Sequence, residues 1–366
     1  MKRMPSDIVE QTHSATKTRR KSIFPETPAI HVGLFLATIF SVMFVYLAFW
    51  GGTASRLSSA IFEAFIFASA LLAILLSHEL GHFLAAKYHG IKATLPYFIP
   101  APIGIGTFGA FIQIQGRLRT RKELLDVGVA GPLAGMVVTL FLAIGGIVHS
   151  DFVPMDKPAF QFGEPLIFQS LIFLIKGPVP EGMDLVLSPI AFAAWIGFLV
   201  TALNLMPASQ LDGGHVIYAL LGKGHRYISR GVFLFLVFWG IWGDFVHVGV
   251  KGLPTGIALS ALAIFLAMSK TQRAIYRRLL VALVVGHFAV LIGFELQTDT
   301  SMWLFWGMLL YLFKLDHPQI QHDKKNDDSQ AALDAKIGTT RALIGLLTII
   351  LFIGIFMLTP IHVFEP

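Results

Sequence analysis

Long apolar runs separated by short polar clusters dominate this chain. Residues 29–50, 58–89, 124–148 and 188–206 each supply about the 20 residues that a helix needs to cross a bilayer. Further runs at 231–249, 253–268, 279–296, 301–315 and 341–359 bring the expectation to about nine spanning helices. Between them, residues 91–116 break the pattern. Pro96, Pro100, Pro102, Gly104, Gly106 and Gly109 exclude a continuous helix. Phe111-Ile112-Gln113-Ile114-Gln115 then alternates apolar with polar, as a strand does. Too apolar for an ordinary loop, this piece is expected to dip into the protein as a re-entrant β-hairpin, because irregular backbone at membrane depth needs protein or a wet cavity around it. The expected fold is an all-α polytopic membrane protein with a small re-entrant β-hairpin.

The polar stretches divide the chain. Residues 1–28, with Lys2, Arg3, Lys17, Arg19, Arg20 and Lys21, form an N-terminal tail. Residues 29–230 form a membrane-embedded core, 231–315 additional transmembrane helices, 316–340 a hydrophilic loop, and 341–366 a last span with its end. Residues 149–187 make the longest loop on the opposite face. Its mostly apolar centre, Leu166–Ile175, is expected in the membrane interface.

Composition sharpens the membrane reading. Of 366 residues, 55% are hydrophobic and 14% charged, with a mean hydropathy of +0.70. Soluble domains carry roughly 25% charged residues. No cysteine is present, which excludes disulfides, cysteine-ligated zinc and a thiol nucleophile. The net charge of +6 does not imply a nucleic-acid partner, because the cations cluster in loops beside apolar runs. Counted from a cytoplasmic N-terminus, every short loop rich in Lys and Arg falls inside. The first apolar run is long enough to span, so no cleavable leader is expected, and a bacterial inner membrane suits the short tail.

The chemistry centres on His78-Glu79-Leu80-Gly81-His82. Residues four apart share a helix face, so His78 and His82 can hold one Zn²⁺ through their imidazoles. Glu79 lies close enough to take a proton from water activated there. Ionisable groups inside a spanning helix are costly to place and mark function by default. Such a site needs a third ligand and an open fourth position. Asp212, in Leu211-Asp212-Gly213-Gly214, falls at the same depth on this layout. As residues alone, it is either that ligand or a turn and cap before the next helix. Gly131-Pro132-Leu133-Ala134-Gly135 allows a close helix approach, for packing or for a more direct role. His89, His215 and His225 lack ligand spacing and read as surface or loop histidines, with His215 a candidate support behind the ligands.

The His78–His82 motif, Gly106-Thr107-Phe108-Gly109-Ala110, Gly131 to Gly135, and Asn204 to Gly214 together resemble the site-2 protease family of intramembrane zinc metalloproteases. They cover roughly residues 60–220. Pro96-Tyr97-Phe98-Ile99-Pro100 and Gly106 to Ala110 resemble the branch with plant chloroplast members and their bacterial relatives, and no PDZ-like insertion is visible. The resemblance implies zinc ligation by His78, His82 and Asp212, with Glu79 activating water. It implies substrate contact at Asn204, for which helix capping is the alternative. It further implies strand addition of a substrate along the piece holding Gly106, Thr107, Phe108 and Gly109. The implied partners are single-pass or anchored membrane proteins within the lipid bilayer. Many relatives carry a second proline where Ser209 stands. A zinc transporter or sensor, or an inactive scaffold of the same fold, is the competing class. The substrate and the oligomeric state are not legible.

Overall fold

The computed structural model describes residues 27–50, 56–116, 118–154, 159–248, 301–312, 315 and 337–364. The expected spans at 253–268 and 279–296, Arg117, nearly all of the N-terminal tail and most of the 316–340 loop lie outside the described residues. Helix α1 (Pro28–Val45) opens on a proline, whose missing N–H costs nothing there, and runs on into a π-helical turn, Tyr46–Trp50. Helix α2 (Leu57–Tyr88) has 32 residues. At 1.5 Å per residue it is about 48 Å long, well over a hydrocarbon core of about 30 Å. Strands β1 (Tyr97–Pro100) and β2 (Thr107–Phe111) pair antiparallel.

Helix α3 (Arg121–Val148) begins with a reciprocal cap. Thr120 Oγ1 accepts from the Glu123 N–H at 3.1 Å, and the Glu123 carboxylate accepts from the Arg119 N–H at 2.7 Å. The stretch after it holds β3 (Asp151–Pro154), β4 (Ala159–Phe162), α4 (Leu166–Lys176) and β5 (Met183–Val186), with β3 paired to β5. Helix α5 (Pro189–Leu205) follows, capped by Ser188, and then α6 (Asp212–Leu221) and α7 (His225–Val248). The last described elements are α8 (Ser301–Leu312), α9 (Thr339–Ile355) and β6 (Ile361–Phe364). Strand β6 pairs with β4.

Helices α2, α3 and α5 pack on one another, with α1 alongside α2. Their shared core includes Val42, Ala68, Leu71, Ala143, Ala194 and Phe198. Small residues set the spacing: a Cβ on Gly81 would overlap the Ala130 carbonyl of α3, and one on Gly146 would overlap Ala191 of α5. A second cluster joins α7 and α8 through Phe233, Leu236, Trp303, Leu304 and Tyr311. Large apolar side chains face outward instead, among them Phe40, Phe44, Phe62, Val137, Phe141, Leu347 and Ile353. In water such a surface would aggregate; in lipid it is the expected exterior. The protein is a largely helical membrane protein. Three described helices, residues 28–50, α2 and α3, are long and apolar enough to cross, while α4, α5, α8 and α9 are apolar but shorter.

Several expectations shift. The strand expected at Phe111–Gln115 lies earlier, at Thr107–Phe111, followed by an isolated bridge from Ile114 to Ala93. The prolines and glycines of 100–106 form the hairpin turn, so pairing starts immediately after them. Helix α7 begins at His225 rather than near 231, and His225 is buried, not at the surface. The 149–187 stretch contains three short strands as well as its apolar helix, because extended pieces a few residues long leave little periodic signal.

Candidate metal centre

Helix α2 delivers both histidines of its motif to the α3 side. His78 and His82 are buried, and their Nε2 atoms lie 3.1 Å apart. Asp212, in the first turn of α6, brings Oδ2 to 3.2 Å from His78 Nε2 and 3.3 Å from His82 Nε2. Among the described residues this is the one His/Cys/Asp/Glu group close enough to hold a metal ion. A tetrahedral ion with bonds of about 2.0–2.1 Å sets neighbouring donors about 3.3 Å apart. The three edges therefore fit one face of such a tetrahedron.

The donor chemistry fits as well. His82 Nδ1 donates to the Val127 carbonyl at 2.7 Å, which leaves Nε2 with its lone pair toward His78 and Asp212. Three electron-pair donors crowded together repel unless a proton or a cation lies between them, and a metal ion serves all three at once. The residues present thus suit a zinc ion held by two imidazoles and a carboxylate, with the fourth position open.

Neighbouring backbone shapes this cluster. A Cβ on Gly131 would run into the His82 ring, and one on Gly135 would lie 3.2 Å from His78 Cβ. The two glycines of α3, four apart, thus form the wall on which the two histidines rest. Their role in packing and their nearness to the site are one property. Gly213 and Gly214 fit against the backbone of Leu205, Ala208 and Ser209, which tucks the first turn of α6 under the end of α5. The Asp212 carboxylate sits at the positive end of α6, where the orphan N–H groups favour an anion. Ser209 precedes it at φ 57°, in the left-handed region. Proline cannot adopt that angle, so this turn differs from one built on a second proline. The Ser209 N–H donates to Ser229 Oγ at 2.9 Å, and that hydroxyl donates to the Leu315 carbonyl at 2.6 Å.

Glu79 is buried, and its Oε2 accepts from the Ile112 N–H at 2.8 Å. The next N–H, of Gln113, donates to Thr94 Oγ1 across the hairpin at 3.0 Å. The chain leaving β2 is therefore tied to the motif glutamate on one side and to the hairpin partner on the other. Asn204 Nδ2 lies 3.5 Å from His78 Nε2, at the rim of the cluster. Gly106, Thr107 and Gly109 shape the hairpin, further from the ligands. Gly106 has φ +89° and packs against the Val42 backbone of α1, and Thr107 Oγ1 donates to the Ile99 carbonyl at 2.8 Å and accepts from the Gly109 N–H at 3.0 Å. Phe108 is exposed.

Three contributors had escaped the sequence reading. The Ile112 N–H and the Val127 carbonyl are backbone groups and leave no residue signature. Asp126, which pairs with His89 and Arg341, had one: an acid inside an apolar helix calls for a partner. His89, expected at the surface, spends its ring on that pair.

Residues 66–239 match the family model Peptidase family M50. A protein of Oryza sativa subsp. indica named "Probable zinc metalloprotease EGY2, chloroplastic" is 39% identical over 154 residues, 41% of this chain and 28% of that relative. The Arabidopsis thaliana protein "Probable zinc metalloprotease EGY1, chloroplastic" is 35% identical over 196 residues, 52% of this chain and 33% of its own length. The Arabidopsis thaliana "Probable zinc metallopeptidase EGY3, chloroplastic" is 27% identical over 169 residues, 42% of this chain and 29% of its own length. The chain thus spans a third or less of the length of these curated relatives. No solved structure matches it.

Proposed function

We propose that this chain, which carries a Peptidase family M50 domain at residues 66–239, is an intramembrane zinc endopeptidase that cuts the transmembrane segments of anchored proteins. The observation that carries the reading is the triangle of His78 Nε2, His82 Nε2 and Asp212 Oδ2, with edges of 3.1–3.3 Å, beside a buried glutamate. The relatives' names, each a probable zinc metalloprotease or metallopeptidase, point the same way.

On this reading His78, His82 and Asp212 hold the metal. Zinc, when bound, polarises the scissile carbonyl and lowers the pKa of its water toward about 7. Glu79 takes the proton of the attacking water and later passes it to the leaving amine. With Oε2 held by the Ile112 N–H, its other oxygen is the one that works. A peptide bond within a helix is shielded, so the substrate must first unwind. The β1–β2 hairpin, entering the membrane with Gly106, Thr107, Phe108 and Gly109 along it, receives the extended segment as an added strand. Asn204, beside His78, steadies the substrate carbonyl.

Residues 29–230 form the proteolytic core, with further spans after it to a total of about nine. The Lys/Arg-rich loops set the N-terminus and the active site on the cytoplasmic side. The bacterial inner membrane stays our proposal beside the chloroplastic location in the relatives' names, and membrane fractionation decides it.

The test is cleavage of a single-span reporter co-reconstituted with the purified chain. Glu79→Gln keeps its zinc and loses cleavage. A Glu79→Gln chain as active as wild type would sink the proposal.

A further inference from the structure

Helix α9 lies beyond the matched domain, yet its first turn reaches the support of the metal centre. Arg341 Nε donates to Asp126 Oδ1 at 2.8 Å, and Nη2 donates to Oδ2 at 2.9 Å, a two-pronged fork. The same Oδ2 accepts from His89 Nε2 at 2.9 Å. His89 caps the C-terminal end of α2, and Asp126 lies in the second turn of α3. One carboxylate therefore joins α2, α3 and α9. Asp126 directly precedes Val127, whose carbonyl takes the His82 Nδ1 proton. Gly345, one turn along α9 from Arg341, packs against Leu220 of α6 and Leu125 of α3. Helix α6 carries Asp212 at its other end.

We propose that Arg341 is a positioning residue for the metal centre. Through Asp126 it holds the first turns of α3 against the end of α2, so that the Val127 carbonyl keeps the His82 ring aimed at His78 and Asp212. The inference rests on the metal site proposed above. An exposed single-pronged ion pair would contribute little. This pair is forked, its side chains 36% and 24% exposed, and it joins residues 215 apart in sequence. Its consequence falls on an imidazole that the Val127 carbonyl holds in one orientation.

The test is the zinc dissociation constant of the full chain in detergent micelles, read by competition with a chelator of known affinity. Thermal unfolding of the metal-free chain is followed in parallel. Direct hydrogen-bond partners of a ligand histidine commonly change metal affinity by about 10–100-fold. Arg341 acts one step further out, so Arg341→Met is expected to weaken zinc by about 3–10-fold. Arg341→Lys keeps the charge, loses the fork, and falls between the two. A purely structural brace would lower the unfolding temperature of the metal-free chain and leave zinc affinity alone. Wild-type affinity in a folded Arg341→Met chain therefore overturns the inference, while zinc binding by the wild type leaves the site itself standing. Should Arg341→Met fail to fold, Asp126→Asn is read in its place, and unchanged affinity there overturns it equally. A wild-type chain that takes up no zinc removes both proposals together.

Discussion

Gly131→Ala puts one methyl group where the structure has no room. The new Cβ would fall inside the contact distance of Nε2, Cδ2 and Cε1 of His82. Ordinary carbon contacts need about 3.5–4.0 Å, so ring or helix must retreat by about 1–2 Å. The ring has little freedom, because Nδ1 is held to the Val127 carbonyl at 2.7 Å. The helices cannot simply part, since Gly81 of α2 already lies against the Ala130 carbonyl and their contact runs on through Gly135. Overpacking of this kind costs about 1–3 kcal/mol. Falling on the ligand-aligned arrangement, it lowers zinc affinity by about 5- to 150-fold, at 1.4 kcal/mol per tenfold. Gly145→Ala on the same helix is the control, because its added Cβ meets nothing within 4 Å. It carries only the gain of up to about 1 kcal/mol that alanine brings to a helix interior. The assay is zinc titration of the metal-free full chain against a chelator, with unfolding temperature recorded for both variants. Equal zinc affinity in Gly131→Ala, Gly145→Ala and wild type would refute the reasoning that α3 forms the wall of the site.

Three other outcomes follow from the same geometry. Ser209→Pro forces φ from 57° to about −65°, and should displace Asp212 and abolish high-affinity zinc binding; a proline variant that binds zinc normally counts against the turn described here. Ile112→Pro removes the N–H that holds Glu79 Oε2 and should depress cleavage of the reporter while zinc content stays at the wild-type level, whereas loss of zinc would mean that the hairpin supports the ligands instead. Chelation should lower the unfolding temperature of the wild type, since free zinc at 100 times its dissociation constant stabilises by about 2.7 kcal/mol, and an unmoved transition would argue that no ion binds the folded state preferentially.

The histidine pair on α2 was readable because four-residue spacing on a helix is strict, and the His78 and His82 rings meet as that spacing demands. Asp212 was legible from its residues only as either a third ligand or a turn, and the resemblance favoured the first. Its distance from α2 is set by the Ser209 turn and by Gly213 and Gly214 beneath α5, none of which has a periodic signature. An antiparallel strand pair in this piece was legible, but its register was not. The alternation of residues 111–115 looked like the strand, yet the pairing begins at Thr107, and Ile112 and Gln113 give their N–H groups to side chains. Long apolar helices announced themselves by length, whereas the partners of charged residues did not. Asp126 and Arg341 are each visible as an ion beside apolar sequence, but nothing local says that they meet.

The zinc content of purified Asp212→Ala, set beside wild type and Glu79→Gln, tests the ligand triangle most directly. Wild type and Glu79→Gln should each retain about one zinc per chain after dialysis against a weak chelator, and Asp212→Ala should retain almost none. Full zinc occupancy in a folded Asp212→Ala chain would mean that α6 does not complete the site.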